Sequence, residues 1–265
     1  KILNLISIIA SERRIKLEYM GKTIILIPSR LAATRLPNKP LLKIKNLSII
    51  NHVYQKAKLT GIEEVYVATG DKQIFEEVIK NGGKCVLTEK KHETGTDRIF
   101  EAYTKLNLNN IEYIINLQGD EPMIDIEDIK NLNIKAISNK SDMATLACKI
   151  EDENIFKNRN IVKVITDKEL LKNNISKAKN FLREFFPNSA MKVYHHIGIY
   201  IYKVSILDKI VNLKQTQNEI SQKLEQIRAI DNKISIDVIL ANSKPIGVDT
   251  YEEYLEIKKL MEYKN

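Results

Sequence analysis

From Lys22 to about Lys149, short apolar runs rich in β-branched residues alternate with stretches of helical periodicity. Thr23–Pro28 (TIILIP), Glu64–Thr69 (EVYVAT), Lys84–Leu87 and Glu112–Leu117 (EYIINL) predict strands. Ser48–Leu59, Gln73–Asn81 and Thr96–Leu106 predict helices, with Asp71 placed to cap the second. Strands alternating with helices predict βαβ units, right-handed crossovers and a mostly parallel sheet. Ligands of such sheets gather at the carboxyl ends of the strands. The residues just after each strand are therefore the ones to inspect.

The rhythm changes at Asp142. Met143–Ile150, Ile161–Thr166 and His196–Tyr202 predict strands with little helix between them, and polar Lys172–Ala190 predicts a loop or mobile insertion. Helical spacing returns at Gln217–Ile230 and Tyr251–Tyr263, around a strand at Ile234–Leu240. No repeat or low-complexity linker divides the chain. The expected fold is α/β, a Rossmann-like mostly parallel sheet flanked by helices, with a β-rich second half. We expect one domain over 20–265. Its halves are about 20–140 and 141–246, followed by a C-terminal loop and helix at 247–265. Residues 1–19 precede a natural start at Met20 and are expected to be a peripheral extension; their short apolar run resembles a weak signal-peptide core.

Composition narrows this picture. The 265 residues are 43% hydrophobic, enough for a substantial core. A formal charge of +8 suits an anionic partner, but the basic residues are dispersed, Trp is absent and no dense Arg cluster occurs, which disfavours nucleic acid. Cys85 and Cys148 lie in apolar runs outside any CxxC pair and are expected to be buried thiols. No apolar stretch approaches the ~20 residues of a membrane span.

Candidate chemistry sits where the strands end. After the first strand comes Pro28-Ser29-Arg30-Leu31-Ala32-Ala33-Thr34-Arg35-Leu36-Pro37-Asn38-Lys39-Pro40, with Arg30, Arg35 and Lys39 in a segment stiffened by prolines. Forked Arg donors and a Lys point charge suit a phosphate cradle, although the spacing is not that of a Walker loop; a solvated basic loop is the alternative. Asn116-Leu117-Gln118-Gly119-Asp120-Glu121-Pro122-Met123 delivers Asp120 to the same edge, and a carboxylate beside phosphates commonly holds Mg²⁺. An ordinary strand-ending turn would look similar. Asp249, in Gly247-Val248-Asp249-Thr250, is by itself a helix N-cap, and His196 on an apolar strand is by itself a core histidine.

These segments together resemble the 3-deoxy-manno-octulosonate (Kdo) cytidylyltransferases. The first loop is similar to that family's R-x-x-S/A-T-R-L-P-G-K-P-L, with Asn38 at the usual Gly; Asn also tolerates positive φ. Gln118–Pro122 matches Q-G-D-E-P in full. Gly247–Thr250 matches G-V-D-T, His92–Arg98 resembles H-x-S-G-T-D/E-R, and His195–Tyr200 resembles H-L-G-I-Y. The resemblance implies that Arg30, Arg35, Lys39 and Asp120 are catalytic. It implies that Pro28, Ser29, Arg30, Arg35, Lys39, Thr94 and Gly95 bind CTP, and that Arg98, Gln118, His196, Tyr200 and Glu219 hold the sugar acid. Asp120 and Asp249 are the implied Mg²⁺ ligands. Two departures stand out: Gly70 replaces the Asp of V-A-T-D-x, and S-R-x-x-I-P is matched only by Ser176-Lys177-Ala178-Lys179-Asn180-Phe181.

The implied activity is Mg²⁺-dependent transfer of CMP from CTP to Kdo, releasing pyrophosphate, for lipopolysaccharide synthesis. The implied setting is a cytoplasmic homodimer without nucleic-acid or membrane partners. A cytidylyltransferase for 8-amino-Kdo or sialic acid is the nearest rival; a non-catalytic nucleic-acid-binding protein is the other.

Overall fold

A computed structural model describes residues 23–32, 35–185, 191–244 and 246–263. The proposed extension at 1–19 and the start at Met20 lie outside them. The strands are β1 (Thr23–Ser29), β2 (Lys43–Ile44), β3 (Leu47–Ser48), β4 (Glu64–Thr69), β5 (Cys85–Leu87), β6 (Tyr113–Asn116), β7 (Met143–Cys148), β8 (Lys163–Thr166), β9 (Ile175–Leu182), β10 (Lys192–Lys203) and β11 (Ile236–Leu240). The helices are α1 (Ile49–Lys58), α2 (Lys72–Lys80), α3 (Gly95–Leu106), α4 (Ile126–Ser138), α5 (Asn154–Lys157), α6 (Val204–Val211), α7 (Gln217–Gln222), α8 (Gln226–Asp231) and α9 (Tyr251–Tyr263).

One mixed nine-stranded sheet organises the chain, in the order β5-β4-β1-β6-β10-β7-β11-β9-β8. The first four strands pair in parallel, as the βαβ pattern predicts. Beyond them β10 runs antiparallel between β6 and β7, β11 lies parallel to β7, and β9 and β8 add antiparallel. The sheet is thus parallel in its first half and mixed in its second, where the expected mostly parallel sheet gives way because β10, β9 and β8 pair antiparallel.

The continuous apolar run of β1 follows from burial on both faces. Ile25 and Ile27 face a layer holding α1, α2 and α4, while Ile24 and Leu26 face α3, α6 and α8. A smaller cluster joins Leu36, Ile44 and Ile49 to Val248, Tyr254 and Ile257. That cluster docks α9 on the loop after β1.

Three expectations need correction. The predicted loop at Lys172–Ala190 contains β9, which pairs with both β11 and β8. Its ISKAKNFL sequence reads as polar because mainly Ser176 and Phe181 turn inward. The helix expected over Gln217–Ile230 breaks at Lys223, which adopts a left-handed φ of 53°, leaving α7 and α8 as separate short helices. Helices α4 and α6 were not among the predicted elements. The Asp125 cap and buried Ile129, Leu132 and Ala136 of α4 are the signal that identifies it.

Candidate active site

Strand β1 ends at Ser29 and releases the basic loop above the sheet. Asn38 takes φ 57°, ψ 19°, the left-handed conformation expected where Asn stands for Gly. The chain then turns through a single 3₁₀ turn at Lys39–Leu41, with Pro40 buried. This turn aims Lys39 inward. Its Nζ donates to Asp120 Oδ2 at 2.6 Å and to Asp249 Oδ1 at 3.1 Å. Burial pulls the Lys39 pKa down, but the two aspartates more than reverse this, so it lies above the ordinary value. Arg35, more exposed, donates from Nη2 to Asp249 Oδ2 at 2.9 Å.

Asp120 and Asp249 are distant in sequence yet joined by the backbone, because Val248 N–H donates to the Asp120 carbonyl at 2.9 Å. Asp249 does not cap α9. Thr250 fills that role, accepting from Glu253 N–H, while the Glu253 carboxylate receives the Asp249 and Thr250 N–H groups. The Asp249 carboxylate is thereby left for the cations. Gly119, just before Asp120, is tightly enclosed: a Cβ would lie 3.1 Å from both Ile50 Cδ1 and Pro28 O.

The Gly70 departure has a steric reason. A Cβ there would stand 2.6 Å from Glu89 O and Lys90 Cα, so glycine lets the wall segment 88–91 cross. The neighbouring carboxylate, Asp71, does not bond its own helix. It accepts from Leu31 N–H at 2.8 Å and ties the basic loop to α2.

The resulting cavity, about 320 Å³, is lined by Pro28, Ser29, Arg30, Arg35, Lys39, Thr94, Gly95, Arg98, Gln118, Asp120 and Asp249, among others. It therefore gathers every residue expected to bind the nucleotide and both expected metal ligands. Helix α3 opens onto it behind a reciprocal Thr94–Asp97 cap. Arg98 is 3% exposed and donates to Thr88 Oγ1, Glu89 O and Lys90 O, bracing the same wall. Glu101, one turn on, holds His92 and the Glu89 N–H.

A second cavity, about 110 Å³, adjoins the first and shares Gly95 and Gln118 with it. Tyr200, Tyr202, Asn116, Glu225 and Gln226 also line it. Burial pushes the Glu225 carboxyl up, and the hydroxyls of Thr96 and Thr94 oppose that shift. Of the residues expected at the sugar, Gln118 and Tyr200 border this cavity and Arg98 borders the first. His196 lies behind Tyr200, ring centroids 5.4 Å apart, and bonds Thr145 Oγ1. Glu219 lines neither cavity: both its carboxylate oxygens are taken by Arg228, at 2.6 and 2.8 Å. Glu225 and Gln226, six and seven residues further on, occupy the wall instead. The kink at Lys223 turns them there, and no helical spacing would reveal it.

The expected substitute for S-R-x-x-I-P, Ser176–Phe181, is strand in β9. The same Arg-to-Pro spacing recurs in the sequence at Arg183 and Pro187, with Leu182 and Phe186 at the positions of the motif's Ser and Ile.

Among the described residues, no three His, Cys, Asp or Glu side chains are grouped closely enough to cage a metal by themselves. Two carboxylates facing one phosphate-sized cavity are nevertheless a donor set for a hard cation that completes its shell with phosphate and water. Glu121 Oε2 is sealed from solvent without a hydrogen-bond partner, and its carboxyl is pushed up to about 8 by burial and by Asp120 and Asp249. The residues fit such an ion.

His196 makes a separate prediction. Burial, then neighbouring His195, lowers its pKa to about 3 from 6.5, and His195 itself falls to about 4. The unfolded chain therefore binds these protons first as pH drops. Folding stability should decline below about pH 6.5, by roughly 1.4 kcal/mol per pH unit for His196, until the folded protein also protonates. Denaturant titrations across pH 7 to 4 measure this. A His196→Gln variant should show a shallower decline, and an identical slope would remove His196 as the cause.

Comparison with known proteins supplies the wider frame. The sequence profile described as "Cytidylyltransferase" matches residues 24–238. The 3-deoxy-manno-octulosonate cytidylyltransferase of Thermodesulfovibrio yellowstonii is 44% identical over 244 residues, covering 87% of this chain and 94% of the relative. The solved structure of CMP:2-keto-3-deoxy-manno-octonic acid synthetase complexed with CTP superposes with a TM-score of 0.83. It is 32% identical, with 92% of this chain and all of the other covered. A UDP-glucose pyrophosphorylase structure, 18% identical with a TM-score of 0.69 over 92% of this chain and all of its own, shares the fold. The molecule is thus a mixed α/β protein of the nucleotidyltransferase type. The chain belongs to the cytidylyltransferase family, among the 3-deoxy-manno-octulosonate cytidylyltransferases.

Proposed function

We propose that this enzyme transfers CMP from CTP to Kdo, giving CMP-Kdo and pyrophosphate. The observation carrying this reading is the pair of adjoining cavities, one basic and bordered by two aspartates, the other polar and aromatic, with Gln118 on the wall of both. A triphosphate suits the first and a polyhydroxylated acid the second. Their junction is where the two substrates would meet.

The C2 hydroxyl of the sugar gives up its proton to solvent as its oxygen bonds the α-phosphorus, the bond from that phosphorus to the bridging oxygen breaks, and pyrophosphate leaves with that oxygen. Such transfer asks a protein for positioning and charge stabilisation and needs no covalent nucleophile. Arg30, Arg35 and Lys39 neutralise the phosphates and the departing pyrophosphate. The start of α3, with its unpaired N–H groups, favours negative charge at the same edge. Gln118, Tyr200, Glu225 and Gln226 orient the sugar hydroxyls, and Arg98, on the wall of the first cavity, supplies a buried cation for its carboxylate. Mg²⁺ held by Asp120 and Asp249 would polarise the α-phosphate and lower the pKa of the attacking hydroxyl.

A cytoplasmic homodimer, paired through the β-rich half and supplying lipopolysaccharide synthesis, belongs to this reading through family likeness. No helix among the described residues is long and apolar enough to cross a membrane. The test is pyrophosphate release from CTP and Mg²⁺ across a panel of sugar acids. Kdo should support the highest kcat/KM; preference for 8-amino-Kdo or sialic acid would reassign the sugar, and no release with any sugar would overturn the transferase reading.

A further inference from the structure

The second cavity is built on the turn between two short helices. Between α7 and α8 the chain passes through left-handed Lys223 and then presents Glu225 and Gln226 to the cavity. This turn is held from the far edge of the sheet. Arg183, just past β9, donates from Nε to Gln222 O at 2.7 Å and from Nη2 to Lys223 O at 2.9 Å. Its Nη1 donates to Arg159 O at 3.0 Å.

Arg183 is itself fixed. Its carbonyl accepts from Lys163 Nζ at 2.6 Å, and that ammonium also donates to Asn158 O at 2.7 Å and Ile161 O at 2.8 Å. Lys163 has no exposed surface, and its three donors meet only backbone carbonyls. A fully buried ammonium without a carboxylate is costly, so its presence marks a geometry that only three convergent donors on one atom can set. The same edge supports the other cavity wall: Phe181 of β9 packs edge-on against His196, ring centroids 5.0 Å apart, and His196 backs Tyr200.

We infer that Lys163 and Arg183 are positioning residues for the sugar subsite, acting in series through backbone carbonyls to set where Glu225 and Gln226 stand. The inference rests on the second cavity being the sugar subsite. A planar guanidinium spanning two successive carbonyls fixes both position and tilt of the turn, and lysine in its place keeps the charge but loses the fork.

The test is steady-state kinetics with separate variation of CTP and Kdo, using Arg183→Met, Arg183→Lys, Glu225→Gln and the double variant Arg183→Met/Glu225→Gln. Arg183→Met should raise KM for Kdo about tenfold or more, since misplacement by a fraction of an ångström suffices. KM for CTP and thermal stability should stay close to wild type, and Arg183→Lys should recover part of the loss. Because Arg183 acts through the turn, the double variant should be no worse than the weaker single one. Multiplied effects in the double variant would mean that Arg183 touches the sugar directly, and equal losses for CTP and Kdo would mean a general structural role. Either result overturns the inference, as does an unchanged KM for Kdo. If the wild-type enzyme turns over no sugar acid, the assigned function fails instead. Lys163→Met should reproduce the Arg183→Met pattern in protein that remains folded by circular dichroism; a folded Lys163→Met enzyme with wild-type KM for Kdo removes Lys163 from the series.

Discussion

Replacing Asp120 with alanine is expected to lower pyrophosphate release by about a thousandfold or more while CTP continues to bind. The size follows from what one carboxylate contributes: several kcal/mol of charge stabilisation, with ~1.4 kcal/mol per tenfold in rate. Asp249→Ala should do the same, because both carboxylates converge on one point, now marked by Lys39 Nζ. Binding should survive since Arg30 and most of the cavity wall are untouched. Titration of CTP against each variant, beside stopped pyrophosphate assays at several Mg²⁺ concentrations, separates the two effects. Full turnover with unchanged metal dependence in either variant would contradict the metal assignment.

The second large effect concerns stability. Arg228→Ala should destabilise the fold by about 3–5 kcal/mol, because it leaves the buried Glu219 carboxylate unpaired. Each partner exposes only 4% of its side chain, and Arg228 binds both Glu219 oxygens. Glu219 also closes the cap of α7 by accepting from Thr216 N–H, so its loss would loosen that helix as well. Urea unfolding gives the number. Replacing the pair together by leucine and methionine should cost much less than Arg228→Ala, and a cost under 1 kcal/mol for Arg228→Ala would show that the pair is not structural. Glu219 thus has a sufficient role without touching any substrate.

The difference between these carboxylates shows what the sequence could disclose. Asp120 was legible locally, because a buried strand delivers it to one edge and Pro122 stops that strand from continuing. Asp249 was legible only through likeness, since its place depends on the long-range Val248–Asp120 bond. Glu219 and Glu225 are both acidic, nearby and plausible, and a reversal of one φ angle at Lys223 decides which reaches a cavity. Strand β9 was hidden for a related reason. Its lysines and asparagine read as loop, and only its neighbours β8 and β11 supply the pairing that makes it strand. The parallel half of the sheet, buried on both faces, announced itself in composition; the antiparallel half did not.

Lys39 already occupies the gap between Asp120 and Asp249 that an incoming divalent ion would need. An ion held by both aspartates would therefore compete with the lysine, whose ammonium a triphosphate would offer another anion. Nucleotide and cation then strengthen each other's hold by the same factor, as linkage requires. The Lys39 ammonium would in this sense be a stopper between the two aspartates, one that a bound triphosphate would draw.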